Sequence, residues 1–132
     1  MFLVDTNVLS ELPRARPNAN ALAWLERQAE IAVSVVSIEE LTFGVARAGA
    51  RRAKLSAWLE ALVGGASEVL GVTLAVARVA GELRAAREAR GRRVAQADML
   101  IAATAVVHGL PLATRNQRDF EGCGVTLVNP FS

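Results

Sequence analysis

Hydrophobic positions change period along this chain in a regular way. Short apolar runs rich in β-branched residues have the form of strands buried on both faces. Longer stretches place apolar residues three and four apart, as in helices with one inward face. Phe2 to Asp5 predicts a buried strand, and Thr6 to Leu12 a short helix ended by Pro13. Asn18 is placed to cap a helix through about Glu30, with Leu22, Trp24 and Leu25 near its inner face. Ile31 to Val36 predicts a second strand. Ser37-Ile38-Glu39-Glu40 then has the form of a capping box and predicts a helix that stops near Gly49. Arg51 to Val63 predicts another helix, closed by Gly64-Gly65, and Glu68 to Val72 a third strand. Thr73 is placed to cap a long helix to about Arg90, ended by Gly91. Ala95 to His108 predicts a helix with Asp98 in its first turn and Gly109 at its C-terminus. Pro111 to Thr114 and Val125 to Val128 read as the last strands, with a loop and short helix between them.

Strands alternating with helices predict an α/β fold: a three-layer α/β/α sandwich around a central, mostly parallel sheet of four to five strands, in a single domain over residues 1–132. No repeat, linker or low-complexity segment interrupts the pattern. In such sheets ligands bind beyond the carboxyl ends of the strands. Asp5 ends the first strand, Glu39 and Glu40 follow the second, and Asn116 and Asp119 follow the fourth. Asp98 opens a helix toward the same rim, so the topology predicts one acidic pocket.

Carboxylates at these places need an explanation. Asp5 follows Phe2-Leu3-Val4 directly, and Asp98 precedes the apolar run from Met99 to Ala103. Burying an ionised carboxylate costs several kcal/mol unless a partner charge or a metal compensates it. The only lysine is Lys54 and the arginines cluster elsewhere, so a bound divalent metal is the leading candidate. Each acid also has a plain structural reading. Asp5 is a good N-cap for a helix at Thr6, Glu40 completes the capping box, and Asp98 suits the positive end of a helix dipole. Those readings leave unexplained why three such acids gather at one end of one sheet.

Composition narrows the classes. A 52% hydrophobic content excludes disorder, and one cysteine, Cys123, cannot form an internal disulfide, which fits a reducing compartment. The N-terminus lacks the basic segment of a secretory signal, and the uncharged stretch from Met99 to Thr114 is too short for a membrane span of roughly 20 residues, so a cytoplasmic protein without membrane attachment is expected. The net charge is +2, and all the basic residues but Lys54 are arginine, with local groups at Arg47, Arg51 and Arg52 and at Arg84, Arg87, Arg90, Arg92 and Arg93. Guanidinium forks match phosphate oxygens, although such runs equally form solvated helix faces. The only histidine, His108, reads as a helix C-terminal residue, so schemes that need a histidine base lack one. Gly64-Gly65 lacks the Lys-Ser/Thr of a phosphate-binding loop. An aspartyl phosphoryl-transfer domain using Asp5 as nucleophile would need a late lysine and acids beside Asp5, which this chain does not have.

Four blocks in order carry a family resemblance: Asp5-Thr6-Asn7-Val8-Leu9-Ser10; Ser37-Ile38-Glu39-Glu40-Leu41 with Gly44; Ala97-Asp98-Met99 through Ala105; and Ala113-Thr114-Arg115-Asn116 with Asp119-Phe120. Together with the closing Asn129-Pro130-Phe131, the chain resembles PIN-domain proteins over nearly its whole length, above all VapC-type toxins and their FitB-like relatives. The resemblance implies an endoribonuclease dependent on Mg²⁺, with Mn²⁺ as the alternative ion, in which Asp5, Glu40 and Asp98 bind the metal. A one-residue register change would exchange Glu40 with Glu39. The fourth position, after Thr-Arg, is commonly aspartate in this family; here it is Asn116, whose neutral amide would hold a second ion more weakly. Asp119, three residues on, is placed to supply the missing carboxylate. Thr6, Asn7, Thr114 and Arg115 are expected as supporting or phosphate-contacting groups. The resemblance also implies an RNA substrate, a homodimer, and a small VapB-like antitoxin partner that covers the active site and binds promoter DNA. Trp24 and Trp58 are candidates for such an interface, with core packing as the alternative. The rival functional reading is a catalytically weak PIN-like binding module acting with a DNA-binding partner.

Overall fold

Five short strands define the centre of the chain, whose computed structural model describes residues 1–132. They are β1 (Phe2–Val4), β2 (Ile31–Ser34), β3 (Glu68–Leu70), β4 (Leu112–Ala113) and β5 (Leu127–Val128), in the order β3-β2-β1-β4-β5, with every pairing parallel. Around them lie α1 (Thr6–Leu9), α2 (Ala19–Glu26), α3 (Val35–Ala46), α4 (Arg52–Gly65), α5 (Leu74–Ala89), α6 (Gln96–His108) and α7 (Gln117–Phe120). Parallel strands require crossover connections, and helices supply them.

Alternation along the strands sorts the core into two layers. Leu3, Ala32 and Leu112 face one side with Val76, Met99, Ile101 and Phe120, whereas Val4, Val33 and Ala113 face the other with Val8, Leu9, Trp24, Leu41 and Leu59. Both faces of the sheet are therefore covered, giving the expected three-layer sandwich. Trp24 belongs to this core and meets Phe2 edge to face at 5.0 Å, which removes it from the candidate interface residues.

Several element ends differ from the sequence-based expectation. The last β2 residue paired with β3 is Ser34, opposite Leu70, so neither strand has a ladder partner beyond those residues. Val35 and Val36, β-branched as they are, start a helix instead, and the Ser34 hydroxyl accepts the Val36 N–H at 3.0 Å. Ser34 is thus the cap of α3, and the box expected at Ser37 and Glu40 does not form. Gly64 and Gly65 complete the last turn of α4 rather than stopping it, and Gly49–Arg51 form a 3₁₀ turn before that helix. Helix α2 ends at Glu26, short of Glu30. The other caps stand as expected. Asn18 accepts from Ala21 N at 3.0 Å and Thr73 from Val76 N at 3.2 Å, while Gly109 ends α6 in the left-handed region that favours glycine. No helix is long and apolar enough to cross a membrane.

Candidate active site

The strand order reverses between β1 and β4, the point at which a parallel sheet opens a crevice beyond its carboxyl ends. Asp5 stands there, immediately after β1. Its Oδ1 accepts the Thr6 N–H at 2.7 Å, which makes it the cap of α1, and its Oδ2 accepts the Thr114 hydroxyl at 2.8 Å from the end of β4. Asn7 joins the two strands again: its Nδ2 donates to Asp5 Oδ2 at 3.3 Å, and its Oδ1 accepts the Arg115 N–H at 3.1 Å. Asp5 therefore caps α1 and, in the same position, ties the end of β1 to the end of β4. The residue is 4% exposed, and desolvation, followed by the hydrogen bonds that oppose it and the negative charges of Glu40 and Asp119, leaves its pKa raised.

The second acid reaches the rim through helix α3. Because α3 starts at Val35, Ser37 and Glu40 are three apart on one helical face, turned toward α1. The Thr6 hydroxyl lies 2.7 Å from Glu40 Oε1 and 2.9 Å from Ser37 Oγ. A threonine has one hydroxyl proton, and the carboxylate is the stronger acceptor, so Thr6 donates to Glu40 and Ser37 donates to Thr6. Ser37, expected as a helix cap, is instead buried at this junction beside Thr6. Its signal was present in Ser34, which offers the earlier cap and shifts the helix by one turn. Glu39 points outward and is exposed, so Glu40 is the inward acid.

Asp98 occupies the first turn of α6, and its pKa is pushed up to about 6, first by desolvation and then by the charges of Asp5, Asp119 and Glu40. Four acids from α1's cap, α3, α6 and α7 thus lie within electrostatic reach of one another, Asp119 being the one from the first turn of α7. Asn116 is exposed. Its side chain makes no cap bond, but its N–H donates to Thr114 Oγ1 at 3.1 Å. No three acidic, histidine or cysteine side chains close into a cage able to hold an ion unaided. An all-oxygen donor set without a closed cage fits Mg²⁺, which keeps several waters and is completed by phosphates, better than a structural zinc site. His108, in the last turn of the helix that Asp98 opens, lies about 15 Å away along the axis.

Two further placements refine the charge pattern. Arg87 leaves the surface arginine group: it is 5% exposed and holds the Glu121 carbonyl and Cys123 Sγ. Beside Glu40 a cleft of about 320 Å³ runs between α1, α3 and α4, lined among others by Arg14, Leu41, Val45, Arg51 and Trp58.

Comparison with known proteins agrees with this geometry. The family model described as PIN domain matches residues 2–122. The chain is 39% identical to a VapC ribonuclease of Sinorhizobium fredii, covering 99% of this chain and 98% of that one. It is 34% identical to the toxin FitB of Neisseria gonorrhoeae, covering 99% of both. The solved structure of FitAB bound to a DNA fragment superposes with a TM-score of 0.86 at 30% identity, over all of this chain and 96% of that one. A match of this extent, on a parallel sheet with acids gathered at its switch point, places the chain in the PIN-domain family.

Proposed function

We propose that the chain, acting as one unit over residues 1–132, is a divalent-metal-dependent endoribonuclease that hydrolyses RNA phosphodiester bonds. In this reading it is the toxin of a toxin–antitoxin pair, works in the cytoplasm as a homodimer, and is restrained by a small VapB-like antitoxin that binds promoter DNA. The observation that carries the proposal is the mutual charge repulsion of Asp5, Glu40, Asp98 and Asp119, which have no cation of the protein paired with them. The names of the relatives, a ribonuclease and a toxin, and the FitAB–DNA complex point the same way.

Asp5, Glu40 and Asp98 are the proposed ligands of Mg²⁺, with Mn²⁺ as an alternative, and Asn116 and Asp119 complete the catalytic rim. When bound, the ion supplies Lewis-acid chemistry: a water acidic enough to attack phosphorus near neutral pH, and positive charge against the phosphate oxygens. The protein's part is positioning. Thr6 fixes Glu40, while Thr114 and the Thr6 N–H orient Asp5 and oppose the rise in its pKa that burial causes. Asn7 sets the backbone of Arg115 at the rim, where its guanidinium meets substrate phosphate. The apolar wall of the cleft beside Glu40, with Leu41, Val45 and Trp58, suits the antitoxin's contact.

Asn116, in place of a carboxylate, favours one alternative: a catalytically weak binding module acting with its DNA-binding partner. Incubating the purified chain with labelled RNA in Mg²⁺ and in EDTA separates the two. Fragments formed only with Mg²⁺ support the nuclease, and intact RNA under both conditions supports the binding module.

A further inference from the structure

We propose that Phe131, in the closing Asn129-Pro130-Phe131 segment, is a positioning residue that holds the Arg115 guanidinium ready for an RNA phosphate; the inference rests on the ribonuclease reading. The Arg115 guanidinium carbon lies 4.9 Å from the Phe131 ring centroid, within the range of a cation–π contact. The backbone that carries the ring is itself tied down. Asn129 Oδ1 accepts the Phe131 N–H at 2.9 Å, and Asn20 Nδ2 of α2 donates to the Phe131 carbonyl at 3.3 Å. At its other end the Arg115 backbone is anchored to Asn7, two residues from Asp5.

The electrostatics favour an incoming anion. Arg115 directly follows Thr114, the partner of Asp5, yet the ion pairs of the protein are Arg14–Glu11 and Arg84–Glu88, so its guanidinium is paired with no acid. Its side chain makes no hydrogen bond, its donors are exposed, and the aromatic face restrains it without using them. A guanidinium restrained by an aromatic face and by no ion pair retains its full fork for a phosphate oxygen pair. The closing segment thereby supports Arg115 on the RNA-binding surface without itself touching RNA.

The test measures binding of a fluorescein-labelled single-stranded RNA to the cleavage-deficient Asp98→Asn chain by anisotropy, across a series of KCl concentrations. Arg115→Ala is expected to weaken binding about 10-fold and to reduce the slope of log K against log salt by about 0.7, one single-strand phosphate contact. Phe131→Leu is expected to weaken binding severalfold, Phe131→Trp to restore it, and Phe131→Leu to have no further effect once Arg115 is alanine. A Phe131→Leu loss of equal size with and without Arg115 overturns the inference, as does unchanged binding by Phe131→Leu. Absence of RNA binding by the Asp98→Asn parent and by the wild-type chain counts instead against the ribonuclease reading.

Discussion

The Thr114 hydroxyl donates to Asp5 Oδ2 at 2.8 Å, linking the ends of two neighbouring parallel strands that are far apart in the chain. This bond is buried and counters the desolvation that raises the Asp5 pKa. Thr114→Val removes it while preserving shape. A hydrogen bond to a charged acceptor contributes roughly 1.5–3 kcal/mol, so urea unfolding in EDTA at pH 7.5 is expected to show a loss of that order. The deficit should shrink on repeating the measurement at pH 4.5, because the bond favours the ionised carboxylate and acidification favours the protonated one. An equal deficit at both pH values would show that Thr114 does not act on the ionised form.

Stability without metal should rise on mild acidification. Asp98 has a folded pKa of about 6, against an ordinary value of 3.8. Between those values the native state binds more protons than the unfolded chain, so stability falls as pH rises. The contribution is fully present below 3.8 and lost as pH passes through 6; Asp5, also raised, adds in the same direction. Melting temperature in EDTA is therefore expected to increase from pH 7.5 to pH 5, and Asp98→Asn should flatten the rise. A wild-type melting temperature that falls over this interval would contradict the proximity of the acids.

Thr6 determines where Glu40 points, so Thr6→Val is expected to lower RNA cleavage about 10- to 100-fold, the usual range for losing a partner of a metal ligand. Circular dichroism should stay unchanged. Ser37→Ala, which leaves the Thr6–Glu40 bond in place, should have the smaller effect on the same cleavage assay.

Asn116→Asp restores a carboxylate at the exposed N-cap of α7. It is expected to lower the Mg²⁺ concentration at half-maximal cleavage by tightening a second ion. A Mg²⁺ titration with an unchanged midpoint would leave Asp119 as the acid that serves this position.

Much of this site was legible from residue order because its strongest determinants are local. Asp5 after an apolar strand, Thr73 and Asn18 as caps, and Gly109 past a helix each set their backbone with little help from afar. What misled was long-range. Val35 and Val36 favour a strand by propensity, but β3 offers no partner beyond Leu70, and pairing decides. The resulting one-turn shift turned Ser37 from a cap into a buried partner of Thr6 and distinguished Glu40 from Glu39. The Phe131–Arg115 contact joins segments whose meeting only the folded sheet reveals.

Mn²⁺ titration followed by electron paramagnetic resonance tests most directly whether the acids assemble to hold a dication. The wild-type chain should quench the free-ion signal, and Asp98→Asn, with its helices intact, should bind at least about 10-fold more weakly. Equal Mn²⁺ affinity for the two proteins would contradict the assignment of these carboxylates as the metal site.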